Sequence, residues 1–236
     1  MNLAELALPP GVLAHQHADA GAQAEAMALQ VAEALRQAIE VRGEALLVVS
    51  GGRSPMAFFE CLARQTLDWS KVSVSLADER WVPQDHPDSN EALVRRHLLQ
   101  ANAASARMLG LYHPAADVER AAERAEQALA GLPLIDVLVL GMGEDGHTAS
   151  LFPGSPHLAE ALHEDCPRRV LAMQAPVEPR QRLSLTRRVL AGARLPMLAI
   201  QGQSKLETLK RALAEDGLDL PIRAFLRAPL QIHYCP

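Results

Sequence analysis

Apolar side chains at Met27, Val31, Leu35 and Ile39 recur every four positions, with Glu25, Glu33, Arg36 and Gln37 elsewhere in the stretch. That spacing predicts an amphipathic helix over residues 18–41, which Gly43 ends. Short unbroken apolar runs mark strands at 45–49, 72–77, 135–140, 170–174 and 196–201, with a weak one at 108–112. The run Ile-Asp-Val-Leu-Val-Leu at 135–140 is the strongest of these. Further helices are expected at 90–99, at 115–130 and from Gly202 to about residue 214; Pro55 suits the first turn of another. Residues 230–234 read as a last, edge strand.

Strands and helices therefore alternate. The strands are continuous apolar runs rather than alternating ones, as in a parallel sheet buried on both faces. The expected fold is α/β: a three-layer, Rossmann-like, mainly parallel sheet with helices on both faces, in a single domain over 1–236. Such sheets bind ligands beyond the carboxyl ends of their strands. Three loops at those ends carry unusual residues (50–54, 78–90 and 141–156), and in a parallel sheet they meet on one edge.

Composition narrows the partners. The 236 residues are 49% hydrophobic, 22% charged and 3% aromatic, which suits a globular chain and excludes intrinsic disorder. The net charge of -5 argues against nucleic acid as a partner. Cys61, Cys166 and Cys235 are far apart and odd in number, so neither a disulfide framework nor a zinc knuckle is expected. No signal peptide or apolar membrane span is legible. A cytoplasmic protein without a membrane partner is expected. Arg outnumbers Lys twenty to three, and Arg beside a glycine loop grips phosphate bidentately.

The loop Ser50-Gly51-Gly52-Arg53-Ser54-Pro55 follows a strand and opens a helix. Its backbone can approach a ligand closely, and free amides at a helix start favour an anion. A plain strand-to-helix turn is the alternative. Asp78-Glu79-Arg80-Trp81 stands at another strand end. It is either a solvated ion cluster or a set of hydroxyl acceptors with an oxyanion partner. Gly141-Met142-Gly143-Glu144-Asp145-Gly146-His147 contains GxGxxG after a strand. A dinucleotide site is disfavoured there, because Pro153 and Pro156 interrupt the helix that fingerprint needs. Two residues after Asp145, His147 is a candidate general base, steered by that carboxylate. Arg182 and Lys205 add cations that, with Arg53, could surround a dianion. No GxSxG elbow, P-loop or HExxH is present, and nothing calls for a metal.

Taken in order, these segments, with Ser89-Asn90, the stretch from Thr148 to Gly154, Arg182-Leu183-Ser184-Leu185-Thr186 and Gly202 with Lys205, resemble the 6-phosphogluconolactonase family of the sugar-phosphate isomerase/deaminase-like superfamily. The resemblance spans nearly the whole chain. Arg53-Ser54 departs from the Ser-Thr many such lactonases carry. It implies hydrolysis of 6-phospho-D-glucono-1,5-lactone, the second step of the oxidative pentose phosphate pathway, with no cofactor or metal. It also implies a monomer or small homo-oligomer whose partner is the sugar-phosphate lactone. On this reading His147, Asp145 and Arg80 are catalytic; Gly51, Gly52, Arg53, Asp78, Asn90, Arg182 and Lys205 bind substrate. Glucosamine-6-phosphate deaminase, which has Asp-Glu-Tyr at the second segment, is the nearest alternative reaction; a non-catalytic sugar-phosphate sensor is a third reading.

Overall fold

The computed structural model describes residues 3–52, 54–214 and 219–236. In chain order its strands and α-helices are β1 (Leu13–Gln16), α1 (Ala20–Arg42), β2 (Ala45–Val49), α2 (Met56–Ala63), β3 (Val72–Leu76), β4 (Asp78–Arg80), α3 (Asn90–His97), β5 (Arg107–Leu109) and α4 (Val118–Ala128). There follow β6 (Val137–Gly141), α5 (Leu158–Leu162), β7 (Val170–Gln174), β8 (Gln181–Leu185), α6 (Arg187–Leu190), β9 (Leu195–Gln201), α7 (Gln203–Ala214) and β10 (Gln231–Cys235). No described helix is long and apolar enough to cross a membrane.

Seven strands form one wholly parallel sheet in the order β1-β10-β9-β6-β2-β3-β5. With its helices it makes the expected three-layer α/β architecture. All five residues of β2 are buried, as are the first four of β6. A fully buried aliphatic side chain contributes roughly 1.5–3 kcal/mol, so this central pair anchors the core. The helix predicted at 18–41 is α1, capped by Asp19, whose carboxylate accepts from the Ala22 amide. Gly43 ends it in the left-handed region at φ 82°, where a β-carbon would be strained.

Two expectations need correction. Residues 230–234 are not an edge: β10 lies between β1 and β9. The edge is β1, whose Leu-Ala-His-Gln sequence has no apolar run to reveal it. Nor do all apolar runs join the parallel sheet, since β7 belongs to a second, three-stranded antiparallel sheet in the order β4-β8-β7. Its strand β4 occupies the start of the expected 78–90 loop.

The strand order places the site. From β2 the chain moves outward through β3 to β5, then returns to β6 on the other side of β2 and moves outward again through β9 and β10. The connections leaving β2 and β6 diverge, opening a crevice at their carboxyl ends. That is the switch point at which open α/β sheets bind ligands.

Candidate active site

A cleft of about 320 Å³ occupies this switch point. The sequence-predicted residues Gly51, Gly52, Asp78, Arg80, Asn90, His147, Arg182 and Lys205 all line it. Asp145 touches His147 from behind, and Arg53 lies outside the described residues.

The segment after β6 is a tight turn. The Gly143 amide donates to the His147 carbonyl at 2.9 Å, and the Gly146 amide donates to the Gly143 carbonyl at 3.1 Å. Gly146 sits at φ 75°. A β-carbon on Gly143 would lie 2.2 Å from both Nδ1 and Cε1 of His147. The glycine is therefore required by the imidazole, not by backbone conformation. His147 Nδ1 lies 2.5 Å from Asp145 Oδ1, which also accepts from the His147 amide at 3.1 Å. Partial burial pushes the Asp145 carboxyl up, but its hydrogen bonds and charge interaction with His147 outweigh that and leave it below its ordinary value. An ionised carboxylate only accepts, so Nδ1 carries the shared proton, and the neutral ring in that tautomer presents its Nε2 lone pair. The ring rests 4.4 Å, centroid to centroid, from Phe152.

The antiparallel sheet supplies the cations. Strands β4 and β8 pair Arg80 with Arg182 directly. Like charges opposite one another destabilise a sheet. Burial lowers the Arg182 pKa, and Arg80 lowers it further, against Asp78, Glu79 and Asp88. Arg182 donates to the Pro179 carbonyl at 2.6 Å, and its guanidinium carbon lies 5.6 Å above the Phe152 ring. Lys205, in the first turn of α7, has its pKa lowered by burial against the opposing pull of Glu144. One buried guanidinium, one half-buried guanidinium and a partly buried ammonium give this wall the charge to receive an anion.

Asp78 is buried, and its Oδ2 accepts from the Ser150 hydroxyl at 2.6 Å. The Asn90 side-chain amide donates to the Asp78 carbonyl at 2.9 Å. Three polar atoms of cleft-lining residues are buried without a hydrogen-bond partner: Ser50 Oγ, Arg80 Nε and Asn90 Oδ1. Buried polar atoms are normally satisfied, so these three are unspent bonding capacity in the walls of the cleft.

Sequence reasoning placed Ser50 in the phosphate loop but missed Glu79 and Phe152 as contributors. Ser50 and Phe152 line the cleft. Glu79 is fully buried, and burial pushes its carboxyl up to about 7 against the hydrogen bonds it accepts. The alternating pattern of Arg182, Leu183, Ser184 and Leu185 could have revealed β8.

Comparisons with known proteins place the chain in a family and a fold. Residues 18–233 match the family described as glucosamine-6-phosphate isomerases/6-phosphogluconolactonase. The chain is 60% identical to a 6-phosphogluconolactonase of Pseudomonas aeruginosa, with all of both chains covered. It is 56% identical to a 6-phosphogluconolactonase of Pseudomonas putida, covering 100% of this chain and 98% of the relative. A crystal structure of a 6-phosphogluconolactonase from Shewanella baltica superposes with a TM-score of 0.92 at 36% identity, covering 97% of this chain and 100% of the other. The family match over residues 18–233 and the identity to these relatives show that the chain belongs to the glucosamine-6-phosphate isomerase/6-phosphogluconolactonase family.

Proposed function

We propose that the cleft hydrolyses 6-phospho-D-glucono-1,5-lactone to 6-phosphogluconate, with His147 as general base. The observation that carries this reading is the His147–Asp145 pair in one cleft with Arg80, Arg182 and Lys205. The 60% identity to a named 6-phosphogluconolactonase supports it.

The substrate phosphate binds against Arg182, Lys205 and the Ser50-Gly51-Gly52 turn, with Arg53 assigned to the same subsite from sequence. Asp78 and Asn90 hold sugar hydroxyls. Nε2 of His147 takes a proton from water, and the hydroxide oxygen bonds to C1 of the lactone. Arg80 Nε stabilises the oxyanion that forms. The C1–O5 bond then breaks, and the ring oxygen takes the proton back from Nε2. The new carboxylic acid ionises and releases one proton per turnover. General-base assistance contributes about 10²–10⁴-fold and one oxyanion donor about 10²–10³. A lactone is an activated ester, so no covalent intermediate and no metal is needed.

The test is proton release on adding freshly generated phosphogluconolactone, with gluconolactone and glucosamine 6-phosphate as controls. Each charge-assisted hydrogen bond is worth about 1.5–3 kcal/mol, so two of them predict a preference of at least ~10²-fold in kcat/KM for the phosphorylated lactone. Equal turnover of both lactones, or ammonia release from glucosamine 6-phosphate, would overturn the reading.

A further inference from the structure

Glu79 does not line the cleft, yet its carboxylate is fully buried and has four donors around it. Oε1 accepts from the amides of Arg80 at 2.8 Å and Asn90 at 2.7 Å. Oε2 accepts from the Glu91 amide at 2.8 Å and the Ser89 hydroxyl at 3.1 Å. The chain turns away from β4 after Arg80 and returns at Ser89 to begin α3. One side chain therefore ties the end of the strand to the start of the helix, and a single oxygen holds the backbone of both Arg80 and Asn90.

Both residues line the cleft, and each carries a buried side-chain atom without a partner, Arg80 Nε and Asn90 Oδ1. Asn90 has little room to move. Its Oδ1 lies where a β-carbon on Gly51 would come within 1.9 Å, and its Nδ2 is held by the Asp78 carbonyl. A shift of the α3 start relative to β4 would separate the oxyanion donor from the sugar-hydroxyl ligand.

We infer that Glu79 is a positioning residue for the hydrolysis, acting through Arg80 and Asn90 by fixing the start of α3 against the end of β4. The inference rests on the proposed lactone hydrolysis. Once ionised, above its raised pKa of about 7, the Glu79 carboxylate offers two acceptor oxygens and no donor at this point, so the assays are run at pH ~8. In Glu79→Gln the amide nitrogen must face at least one of the four donors, which loosens the clasp without removing its volume.

The test measures kcat and KM on 6-phosphogluconolactone for Glu79→Gln in two backgrounds, the parent chain and Arg80→Ala/Asn90→Ala. Dissociation constants for 6-phosphogluconate are measured alongside. In the parent, Glu79→Gln should lower kcat/KM about tenfold, shared between kcat and KM; in the doubly substituted background its further effect should fall below about twofold, because coupled residues are not additive. Product binding should weaken in the first background and stay level in the second. Unchanged kcat/KM for Glu79→Gln in the parent, or an equal loss in both backgrounds, would overturn the inference. If Glu79→Gln does not fold, Ser89→Ala, which removes one donor to Oε2, replaces it with an expected threefold loss of the same dependence. A parent chain without turnover would instead defeat the hydrolysis reading, and this inference with it.

Discussion

At position 143 a methyl group has nowhere to go. It would overlap the His147 ring at 2.2 Å and Asp145 Oδ1 at 2.7 Å. Gly143→Ala should therefore push the imidazole off its partner and lower kcat by at least ~10-fold, since displacement of a reacting group by about 1 Å can cost 10²-fold. Circular dichroism should show the fold retained. His147→Ala should lower kcat by about 10²–10⁴-fold and leave KM within about threefold, as loss of a general base does. Full activity in that variant would remove His147 from the mechanism. Arg182→Ala should act mainly on KM, because it removes binding shared by ground and transition states; a pure kcat defect would contradict its anchoring role. Much of this was legible along the chain, because Asp145 and His147 are two positions apart in one turn. Glu79 was not, because three of its four donors lie ten to twelve residues on, and Phe152 was not, because its partner Arg182 is thirty residues away.

At the scale of elements, short polar strands escape a pattern built on apolar runs. In β8 the buried residues include Arg182 and Ser184 as well as Leu183 and Leu185, because one side of the strand meets the polar surroundings of the cleft. Hydrophobicity then no longer reports burial, and Asp78-Glu79-Arg80 reads as a loop for the same reason. The β1–β10 seam carries another surprise: His233 is stacked on His15 and His17, with His17 Nε2 3.0 Å from His233 Nδ1. Burial, helped by the charges of the other two rings, pushes the His233 pKa down to about 3 from 6.5. The native state thus refuses a proton that the unfolded chain accepts. Stability from this group is complete above pH 6.5 and is lost as pH falls toward 3. Glu79 has the opposite sign: its raised carboxyl contributes stability that is complete below about 4.5 and lost as pH rises to about 7. Comparing His233→Gln with the parent cancels the Glu79 contribution. Urea unfolding between pH 6.5 and 4 should show a stability slope smaller in the variant by up to about 1.4 kcal/mol per pH unit. Identical slopes would show that His233 is not the proton-excluding group.

For the whole molecule, alternation of helices with unbroken apolar runs was enough to indicate a parallel α/β sheet, and the loops after β2 and β6 do meet as expected. The strand order was not legible. A run buried on both faces looks the same in the middle of a sheet as one position from its edge, which is how β10 came to be expected at the rim. The mutual repulsion of Arg80 and Arg182 has a global consequence, because any anion that relieves it binds only the native state. At 100 times its dissociation constant such a ligand adds about 2.7 kcal/mol to unfolding. Thermal melts with 6-phosphogluconate should show Tm rising with concentration in the parent and a much weaker rise in Arg182→Ala. A rise of equal size in both chains would place the anion elsewhere.

The contact between the turn after β2 and the start of α3 leaves no space for a single carbon atom, since a side chain at 51 would meet Asn90 Oδ1 at 1.9 Å. Two positions thirty-nine residues apart are thereby bound to a common history. A lineage that replaces Gly51 must shorten or move residue 90 in the same step, and with it would go the amide we propose for a sugar hydroxyl.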